Sequence, residues 1–378
     1  MARASTDLII VGAGLAGAAA AWAASARGLS LVVLEAFAAG HKRGSSHGSA
    51  RIFRRAYHDP LYVTMTGRAG EAWQRLQDDA GEELLRLTGG LDFGPARDSA
   101  ALHAVLTASG VPAVLLDPHQ ASERYPFISF ASGPVLYHAD AGVIDPDRAI
   151  AAMLRLAEQR GADIRFGCPA ERIAVGEASV AVHTAAGPVT APVAVVAPGA
   201  WIAALLAGLV RLPPLAVTQE QVFHFAPVEP PQPGAGPWPI FISQDEHGFF
   251  YGLPGGRDGE VPGAVKVGEM ERGTVTTADA RDFTVNPAAR QRVISFTERH
   301  LPGLSSEIVN EASCLFTSTA NEDFILDRVG PLVIASACSG HGAKFAPLTG
   351  EIIAGLAAGQ PAPDPRFTVA AHLRRARG

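Results

Sequence analysis

The chain has 378 residues, of which 48% are hydrophobic and 18% are charged. This length and composition are typical of a globular protein with a large interior and two domains. The formal net charge of −6 gives no reason to expect nucleic acid or an anionic membrane as a partner. The three cysteines are too few and too scattered for a disulfide framework or a CxxC metal site, so we expect a protein of the reducing cytoplasm without a bound metal.

A dinucleotide-binding fingerprint opens the chain. The apolar run at residues 7–11 is followed by GAGLAG at 12–17, an alanine-rich stretch at 18–26 and a second apolar run at 29–34, which ends in Glu35. This order predicts a strand, a helix and a second strand, with the glycines at the turn between the first strand and the helix. Unpaired N–H groups at the N-terminus of such a helix bind a pyrophosphate.

Each residue of the fingerprint has its own expected role. Gly12 lets the chain turn sharply off the strand, Gly14 lets the backbone approach the pyrophosphate, and Gly17 lets the helix lie close to the sheet. Glu35 is expected to accept hydrogen bonds from the ribose hydroxyls of an adenosine. The competing interpretation is a secretory signal, because residues 8–26 carry no charge, but the three glycines in that run and the acid after it favour the nucleotide site. No other segment approaches the ~20 apolar residues that span a bilayer.

The rest of the chain alternates predicted helices and strands. Asp145 is the expected N-cap of a helix that runs to Gln159. The continuous apolar run at 193–197 predicts a strand that is covered on both faces, as in a parallel sheet. Further helices are predicted at residues 61–76, 82–87, 99–109, 286–300 and 348–358, and further strands at 113–116, 162–166, 172–175, 179–184, 188–191 and 331–337.

A change of pattern in the second half of the chain predicts a second domain. Strand-like pieces between 217 and 269, separated by Pro–Gly loops at 227–237 and 254–263, indicate an antiparallel sheet. The strand at 331–337, its glycine turn and the last helix at 348–358 are typical of the closing strand and helix of a nucleotide-binding sheet. We therefore expect a discontinuous nucleotide-binding domain with a substrate domain inserted twice. The first comprises residues 1–80, 141–215 and 311–378, and the second comprises 81–140 and 216–310.

Several short motifs occur in a characteristic order. They are GSSHG at 44–48, RIFR at 51–54, YG at 251–252, VKVG at 265–268, CLFT at 314–317 and SGHGAKF at 339–345. In this order the motifs resemble the monomeric sarcosine oxidase and N-methyltryptophan oxidase family of flavoproteins, over nearly the whole chain. The resemblance implies an α/β fold with a Rossmann-like FAD-binding domain and a second, α+β substrate domain built on a largely antiparallel sheet.

The resemblance also implies how the cofactor is held. FAD is expected to be attached covalently through the sulfur of Cys314 to the 8-methyl carbon of the flavin ring. A lone cysteine is otherwise an ordinary core residue, and Cys168 and Cys338, which lie outside the motif, are interpreted as structural. The expected cofactor contacts are Gly12, Gly14, Gly17, Glu35, Ser45, Arg51, Cys314, Gly340, Gly342 and Lys344.

Charged residues of the same motifs are implied to bind the substrate and oxygen. Arg54 and Lys344 are the expected anchors of a substrate carboxylate, because two cations give it charge-assisted hydrogen bonds. Lys266 lies in an apolar strand, where a lysine is costly to bury without a partner or a function. The resemblance implies that it lies over the flavin and promotes the reaction with O₂ by stabilising the anion that oxygen becomes. Tyr251 is expected to form a cavity wall and His47 to hydrogen-bond near the flavin, although an ordinary structural role is the alternative for each of these residues.

Two positions depart from the family pattern. Phe316 stands where a tyrosine is expected, two residues after Cys314, and Met270 stands where a histidine is expected, four residues after Lys266. Both changes make the expected substrate pocket less polar and more pliable. We therefore expect a bulkier or more apolar amino acid than sarcosine.

The predicted activity is oxidation of a secondary amine, in an N-methyl or cyclic amino acid, to an imine that hydrolyses, with O₂ reduced to H₂O₂. The partners are then a small-molecule substrate and O₂, and the resemblance implies a monomer. One alternative is a dehydrogenase of the same architecture that passes electrons to a quinone or a carrier protein, but Lys266 favours an oxidase. The paired cations Arg54 and Lys344 argue against a flavin-bound redox sensor. An NAD-dependent dehydrogenase would leave the CLFT and SGHGAKF motifs unexplained.

Overall fold

The computed structural model describes residues 6–130, 132–229, 237–270 and 272–376, so most of the Pro–Gly loop expected at 227–237 lies outside the described residues. Within these ranges the strands are β1 (Leu8–Val11), β2 (Leu31–Leu34), β3 (Arg51–Phe53), β4 (Leu85–Leu87), β5 (Gly90–Phe93), β6 (Val114–Leu116), β7 (Val135–His138), β8 (Gly142–Ile144), β9 (Asp163–Arg165), β10 (Arg172–Val175), β11 (Val180–Thr184), β12 (Gly187–Ala191), β13 (Val193–Val196), β14 (Ala216–Pro227), β15 (Ile240–Asp245), β16 (Gly248–Pro254), β17 (Val265–Glu269), β18 (Thr274–Val275), β19 (Leu304–Ser318), β20 (Ile325–Val329) and β21 (Leu332–Ser336). The helices are α1 (Leu15–Ser25), α2 (Pro60–Ala80), α3 (Ser99–Ala108), α4 (Pro118–Arg124), α5 (Pro146–Gln159), α6 (Ile202–Leu205), α7 (Pro287–His300), α8 (Ala346–Ala357) and α9 (Val369–Arg375). None of the helices in the described ranges combines the length and the apolar character that crossing a bilayer requires.

A six-stranded sheet in the order β20-β21-β13-β1-β2-β9 carries the glycine fingerprint. β1 pairs in parallel with β2 and β13, β2 with β9, and β13 with β21, while β20 is antiparallel at the edge. Every residue of β13 is buried, which confirms the strand predicted at 193–197 and its cover on both faces. The predicted closing strand is also confirmed, because β21 lies beside β13 and α8 follows it.

Helices cover one face of this sheet and a smaller sheet covers the other. Ile10 and Val33 belong to a core formed with α1, α5 and α8. Ile9 and Val32 point the other way and pack with Val182 of the antiparallel sheet β10-β11-β12. Because alternate residues of a strand face opposite sides, the unbroken apolar sequences of β1 and β2 serve both layers.

The second large sheet follows the order β18-β14-β17-β16-β15-β5-β7-β6, with β19 paired along the other edge of β14. Among its described strands, β15 with β5 is the one parallel pair. Phe296 of α7 stacks on Phe250 of β16 with their ring centroids 4.2 Å apart, so α7 covers this sheet. The predicted fold class, a parallel nucleotide-binding sheet with a second, largely antiparallel sheet, is confirmed.

The helix predicted at residues 82–87 is wrong. α2 ends at Ala80, and its C-cap Gly81 has a left-handed φ of 69°. The N–H groups of Leu84 and Leu85 then donate to the side chain of Gln77. The chain leaves this turn as β4, which pairs with β8. The sequence analysis also missed α4 and the long strand β19, and α9 follows the helix that was expected to be the last.

The division into two domains remains a prediction. β19 runs through residue 310, next to one of the expected boundaries. The three-stranded sheet β3-β8-β4 also joins strands from segments that were assigned to different domains. The N-cap prediction at Asp145 is confirmed, since its side chain accepts a hydrogen bond of 3.1 Å from the Arg148 N–H at the start of α5.

Candidate active site

A cavity of about 1160 Å³ brings the predicted site residues together. It runs from the glycine turn after β1, past the loop at residues 44–51, to the segment that precedes α8. Strands of the second sheet, among them β14, β16, β17 and β19, contribute further walls. Every predicted site residue except Gly17 lines it, namely Gly12, Gly14, Glu35, Ser45, His47, Arg51, Arg54, Tyr251, Lys266, Met270, Cys314, Phe316, Gly340, Gly342 and Lys344.

The glycine turn has the geometry that a dinucleotide needs. Gly12 has a φ of +95°, and a Cβ there would lie 2.5 Å from the Ala197 carbonyl oxygen. A Cβ on Gly17 would overlap the carbonyl of Gly12, so Gly17 acts in packing α1 against the turn and not as a cavity wall. Gly14 is the N-cap of α1 and brings no side-chain cap. The turn therefore presents main-chain N–H groups at a helix N-terminus, which suits an anion.

Glu35 ties the end of β2 to the glycine turn. Its Oε2 accepts a hydrogen bond of 2.8 Å from the Ala13 N–H, and its Oε1 accepts one of 2.9 Å from the Phe37 N–H. His41 approaches Oε1 at 3.3 Å. Because each carboxylate oxygen can accept more than one hydrogen bond, Glu35 retains capacity for a ribose hydroxyl while it orders the turn.

The loop at residues 44–51 is held by two arginines. Arg51 donates to the carbonyl oxygens of His47 at 2.7 Å, Ala50 at 2.9 Å and Ser45 at 3.1 Å. Arg281, which the sequence analysis did not single out, donates to the carbonyls of residues 42–44 and to Ser313 on β19. These contacts fix the loop against the strand that carries Cys314.

His47 is a neutral imidazole in this loop. Burial, and then the charges of Arg51 and Arg281, lower its pKa to about 3. Its Nε2 is buried and has no hydrogen-bond partner among the described residues. Since a buried polar atom without a partner is costly, His47 is suited to a hydrogen bond with a bound group in the cavity.

Lys266 lies in the wall of the cavity on β17 and is 5% exposed. Its Nζ donates to the Ala50 carbonyl oxygen at 3.2 Å. Burial, and then the charge of Arg51, lower the pKa of Lys266 to about 7, so its charge is easily gained and lost near neutrality. Tyr251 stands on the neighbouring β16, with its ring over Gly268, where a Cβ would lie 2.5 Å from the hydroxyl oxygen.

Two cysteines reach the cavity. Cys314 is buried on β19, opposite Glu220 of β14. Burial raises the pKa of its thiol, while the nearby charges of Arg51 and Lys266 act in the opposite direction. Cys338 also lines the cavity, which the sequence analysis did not predict, whereas Cys168 packs against the core beneath the parallel sheet.

Two cations converge on one aromatic ring at the far end of the cavity. The Arg54 guanidinium lies 4.5 Å from the centre of the Tyr57 ring, and the Lys344 ammonium lies 5.6 Å from it. Nζ of Lys344 donates to the His341 carbonyl oxygen at 2.8 Å, while Nη1 of Arg54 is buried with no hydrogen-bond partner among the described residues. Burial, and then the charge of Arg54, lower the pKa of Lys344. This pair is suited to an anion that accepts from both.

Tyr57, whose ring lies against both cations, is a residue that no sequence motif indicated. Its hydroxyl lies 3.0 Å from Nδ1 of His341, and Nε2 of the same ring lies 3.0 Å from the Glu322 carbonyl oxygen. A carbonyl can only accept, so Nε2 carries the hydrogen and Nδ1 accepts from Tyr57. Burial, and then the Lys344 charge, lower the pKa of His341 to about 3, which keeps it neutral. The available signal was the position of Tyr57, three residues after Arg54.

Phe316 and Met270, the two residues that depart from the family pattern, lie near the same glycine. A Cβ on Gly340 would lie 3.0 Å from the Phe316 ring and 3.7 Å from the Met270 methyl carbon. Gly340 has a φ of +70°, which favours glycine at this position. Phe316 and Met270 therefore form one apolar wall of the cavity.

The residues present fit a flavin adenine dinucleotide. Side chains in place of the glycines of the turn would clash with neighbouring backbone atoms, so the turn leaves its main chain open to a ligand. The cavity leads from this turn to the buried polar atoms of His47 and Arg54 that have no hydrogen-bond partner among the described residues. Within the described ranges there is no group of three or more His, Cys, Asp and Glu side chains that could hold a metal ion. The fold and the cavity together define a protein of the dinucleotide-binding class.

Comparison with known proteins gives the family. The chain belongs to the family described as FAD dependent oxidoreductase, whose profile matches residues 7–356. A monomeric sarcosine oxidase from Streptomyces avermitilis is 35% identical over 365 residues, which cover 93% of this chain and 93% of that protein. An N-methyl-L-tryptophan oxidase from Yersinia pestis is 29% identical over 368 residues, which cover 94% and 96%. The resemblance predicted from the motifs is confirmed.

Solved structures agree on the fold. NikD, described as an unusual amino acid oxidase essential for nikkomycin biosynthesis, superposes with a TM-score of 0.86 at 24% identity and covers 96% of this chain and 97% of its own. L-proline dehydrogenase from P. horikoshii superposes with a TM-score of 0.83 at 20% identity and covers 98% of both chains. At these identities the likeness shows the fold alone.

Proposed function

We propose that this protein is an FAD-dependent oxidase of secondary amines, acting on N-methyl or cyclic amino acids to give an imine that hydrolyses, with O₂ reduced to H₂O₂. The observation that carries the proposal is the pair Arg54 and Lys344, a half-buried and a buried cation that both lie over the ring of Tyr57. Such a pair is suited to a carboxylate, which accepts from both donors. FAD, when bound, supplies the two-electron redox chemistry, and the chain supplies orientation and charge.

The names of the relatives support the substrate class. Sarcosine and N-methyl-L-tryptophan, which appear in those names, are both amino acids with a methylated nitrogen. The apolar wall of Phe316 and Met270 lines the same cavity as the cation pair, so the site offers both charged and apolar surface to a substrate. That combination suits an amino acid whose nitrogen or side chain carries apolar substituents.

Lys266 supports O₂ as the electron acceptor. The fold is shared with a protein named as a dehydrogenase, so the fold does not decide between O₂ and a quinone or carrier protein as the electron acceptor. An ammonium held in a dry cavity wall stabilises the anion that O₂ becomes on reduction, and a dehydrogenase that uses a quinone or a carrier protein gains little from it. We also propose that the oxidase is a monomer and is located in the cytoplasm.

A screen for peroxide release tests the proposed function. N-methyl amino acids, proline, pipecolate and primary amino acids are offered to the purified protein, and O₂ consumption is followed alongside H₂O₂. We expect both signals with N-methyl or cyclic amino acids and weak signals with primary amino acids. Reduction of the cofactor without O₂ consumption would identify the dehydrogenase instead.

We expect the cofactor to be covalently attached through Cys314. Acid precipitation of the wild-type protein should leave the flavin with the polypeptide, and Cys314→Ser should release it into the supernatant. Cys338→Ser is the matched control, because Cys338 lines the same cavity and should leave the link intact. A yellow supernatant from the wild-type protein contradicts the link, and release by Cys338→Ser alone assigns it to the other cysteine.

We expect larger or more apolar N-substituted amino acids to be preferred over sarcosine. The wall of Phe316 and Met270 gains ~25 cal/mol for each Å² of apolar substrate surface that it removes from water, so one extra methylene favours the larger substrate several-fold. The measurement is kcat/KM across a series of increasing size. The double variant Phe316→Tyr, Met270→His should shift the preference towards sarcosine. Comparable kcat/KM values along the series in the wild-type protein would refute the prediction.

A further inference from the structure

His224 is a buried histidine that the proposed function leaves without a role. It lies on β14, directly opposite Lys266 of β17 on one side and Asn310 of β19 on the other. Residues opposite each other in an antiparallel pair project from the same face with their Cβ atoms ~4.5–5.5 Å apart. The register of β14 and β19 shifts immediately after His224, as at a bulge. Bulges re-aim side chains and are frequent beside active sites.

The imidazole of His224 is buried and makes no well-formed hydrogen bond with the described residues. It is 1% exposed, and neither ring nitrogen meets the full geometry of a hydrogen bond with the described residues, while the backbone carbonyls of Asn310 and Gly255 lie near enough to favour its protonated form. A Cβ on Gly255 would lie 2.9 Å from its Cδ2, so the segment after β16 lies against the ring. Burial, and then the charge of Lys266, lower the pKa of His224 to about 4. The ring is therefore neutral, with one nitrogen able to donate and the other able to accept.

Asp258 is a partly exposed carboxylate that lies close enough to His224 for its charge to act on the ring. Its carboxylate accepts a hydrogen bond of 2.6 Å from the Ser49 N–H, and its carbonyl accepts one of 2.7 Å from the Asn310 side chain. His224, Asp258 and Asn310 all line the cavity. Asp258 is half-buried, and the neighbouring Arg257 is exposed. Asp258 and Asn310 thus lie on the cavity wall with His224, which is paired across the sheet with Lys266.

We propose that His224 carries protons from Asp258 to Lys266 while oxygen is reduced, an inference that rests on the oxidase function proposed above. Oxidation of a CH–NH group to C=N releases two electrons and two protons, and O₂ takes up two electrons and two protons to become H₂O₂. A proton that Lys266 gives to reduced oxygen must be replaced, because the same ammonium is needed in the next turnover. His224 accepts a proton at one ring nitrogen and donates from the other, and Asp258 draws the replacement from solvent.

The charged groups that face His224 and Lys266 come from several elements. Lys266 itself is on β17, Arg51 is on β3, Asp258 follows β16, and Asp147 is at the start of α5. Asp147 accepts a hydrogen bond of 3.0 Å from the Gly48 N–H, much as Asp258 does from Ser49 in the same loop. Asp147 therefore provides a matched control, with equal charge and a similar structural contact, that lies off the proposed route.

The first test separates the two half-reactions in the flavin-loaded protein. In His224→Gln and in Asp258→Asn, which keep hydrogen-bonding atoms but cannot pass protons in the same way, we expect reoxidation by O₂ to slow about tenfold or more. The solvent deuterium isotope effect on that phase should increase, and anaerobic reduction by substrate should stay within twofold of the wild-type rate. Asp147→Asn should retain the wild-type isotope effect. Unchanged reoxidation in His224→Gln, or an equal loss in both phases, overturns the proposal.

The second test does not depend on turnover. The chain has 12 histidines, and the imidazole resonance that is missing from the NMR spectrum of His224→Gln belongs to His224. In Lys266→Met we expect the titration of that resonance to move to higher pH, because the neighbouring cation that disfavours protonation is gone. An unmoved titration overturns the contact on which the proposal depends. A wild-type protein that amino acids reduce but that consumes no O₂ would instead contradict the oxidase function itself.

Discussion

Replacing Lys266 by methionine is expected to slow the reaction with O₂ by ~10²–10³-fold while leaving reduction by substrate nearly unchanged. The reason is the position at which negative charge develops during the reduction of O₂. Oxygen becomes an anion when it takes an electron, and the loss of a fixed ammonium beside it costs ~3–4 kcal/mol of stabilisation. Substrate oxidation creates no anion at that position. Stopped-flow traces recorded first without and then with O₂ measure both phases on the same sample.

The variant also preserves the packing of the strand. Methionine keeps most of the volume of the lysine stem, so β17 should retain its pairs with β14 and β16. In the wild-type protein the charge of Lys266 is present below its pKa of about 7 and is lost as the pH rises through that value. The reoxidation rate should therefore fall as the pH rises through about 7, and Lys266→Met should lack that fall. If reduction collapses while reoxidation is unchanged, Lys266 serves the substrate, and the main argument for an oxidase is lost.

Arg54→Ala and Lys344→Ala are each expected to raise KM sharply for an amino-acid substrate. Removing one charged partner from a desolvated carboxylate costs ~2–5 kcal/mol, which corresponds to a factor of about 30 to several thousand. The effect should be large because Arg54 has a buried, unpartnered nitrogen and both cations share the ring of Tyr57. Steady-state kinetics with the amino acid and with the matching amine that lacks a carboxylate provide the measurement.

The neighbouring arginine supplies the control. Arg55 approaches Asp140 at 3.5 Å and does not line the cavity, so Arg55→Ala should leave the ratio of KM values for amino acid and amine close to that of the wild-type protein. The wild-type protein should use the amine poorly. Equal rates with amine and amino acid would show that Arg54 and Lys344 do not bind a carboxylate.

Local sequence patterns were sufficient to predict most of the fold. The glycine fingerprint and the apolar run of β13 predicted the parallel sheet, because each signal is contained within a few residues. The helix at 82–87 failed because the turn after α2 depends on the side chain of Gln77, which no helical periodicity reports. β19 was missed since its sequence lacks a regular alternation, and its stability comes from pairing with β14 along almost its whole length.

Prediction of the site was limited by contacts between residues that are far apart in the sequence. The motifs led to Arg54, Lys266 and Lys344, but their partners lie far away in the sequence. Tyr57 is 284 residues from His341, and Arg281 is 239 residues from the carbonyl of Lys42. Contacts of this kind depend on how the two large sheets meet, which a single sequence does not display.

The cavity is enclosed by residues from both ends of the chain, from Val11 to Thr349. β21 must enter the sheet beside β13 before the following turn can bring Gly340 and Lys344 to the cofactor. A chain that lacks the segment from β21 onwards therefore cannot present a complete site. A cofactor that binds the assembled site and not the unfolded chain stabilises the folded protein by mass action. Truncation ahead of Lys344 should abolish flavin incorporation outright, even where the N-terminal strands are intact.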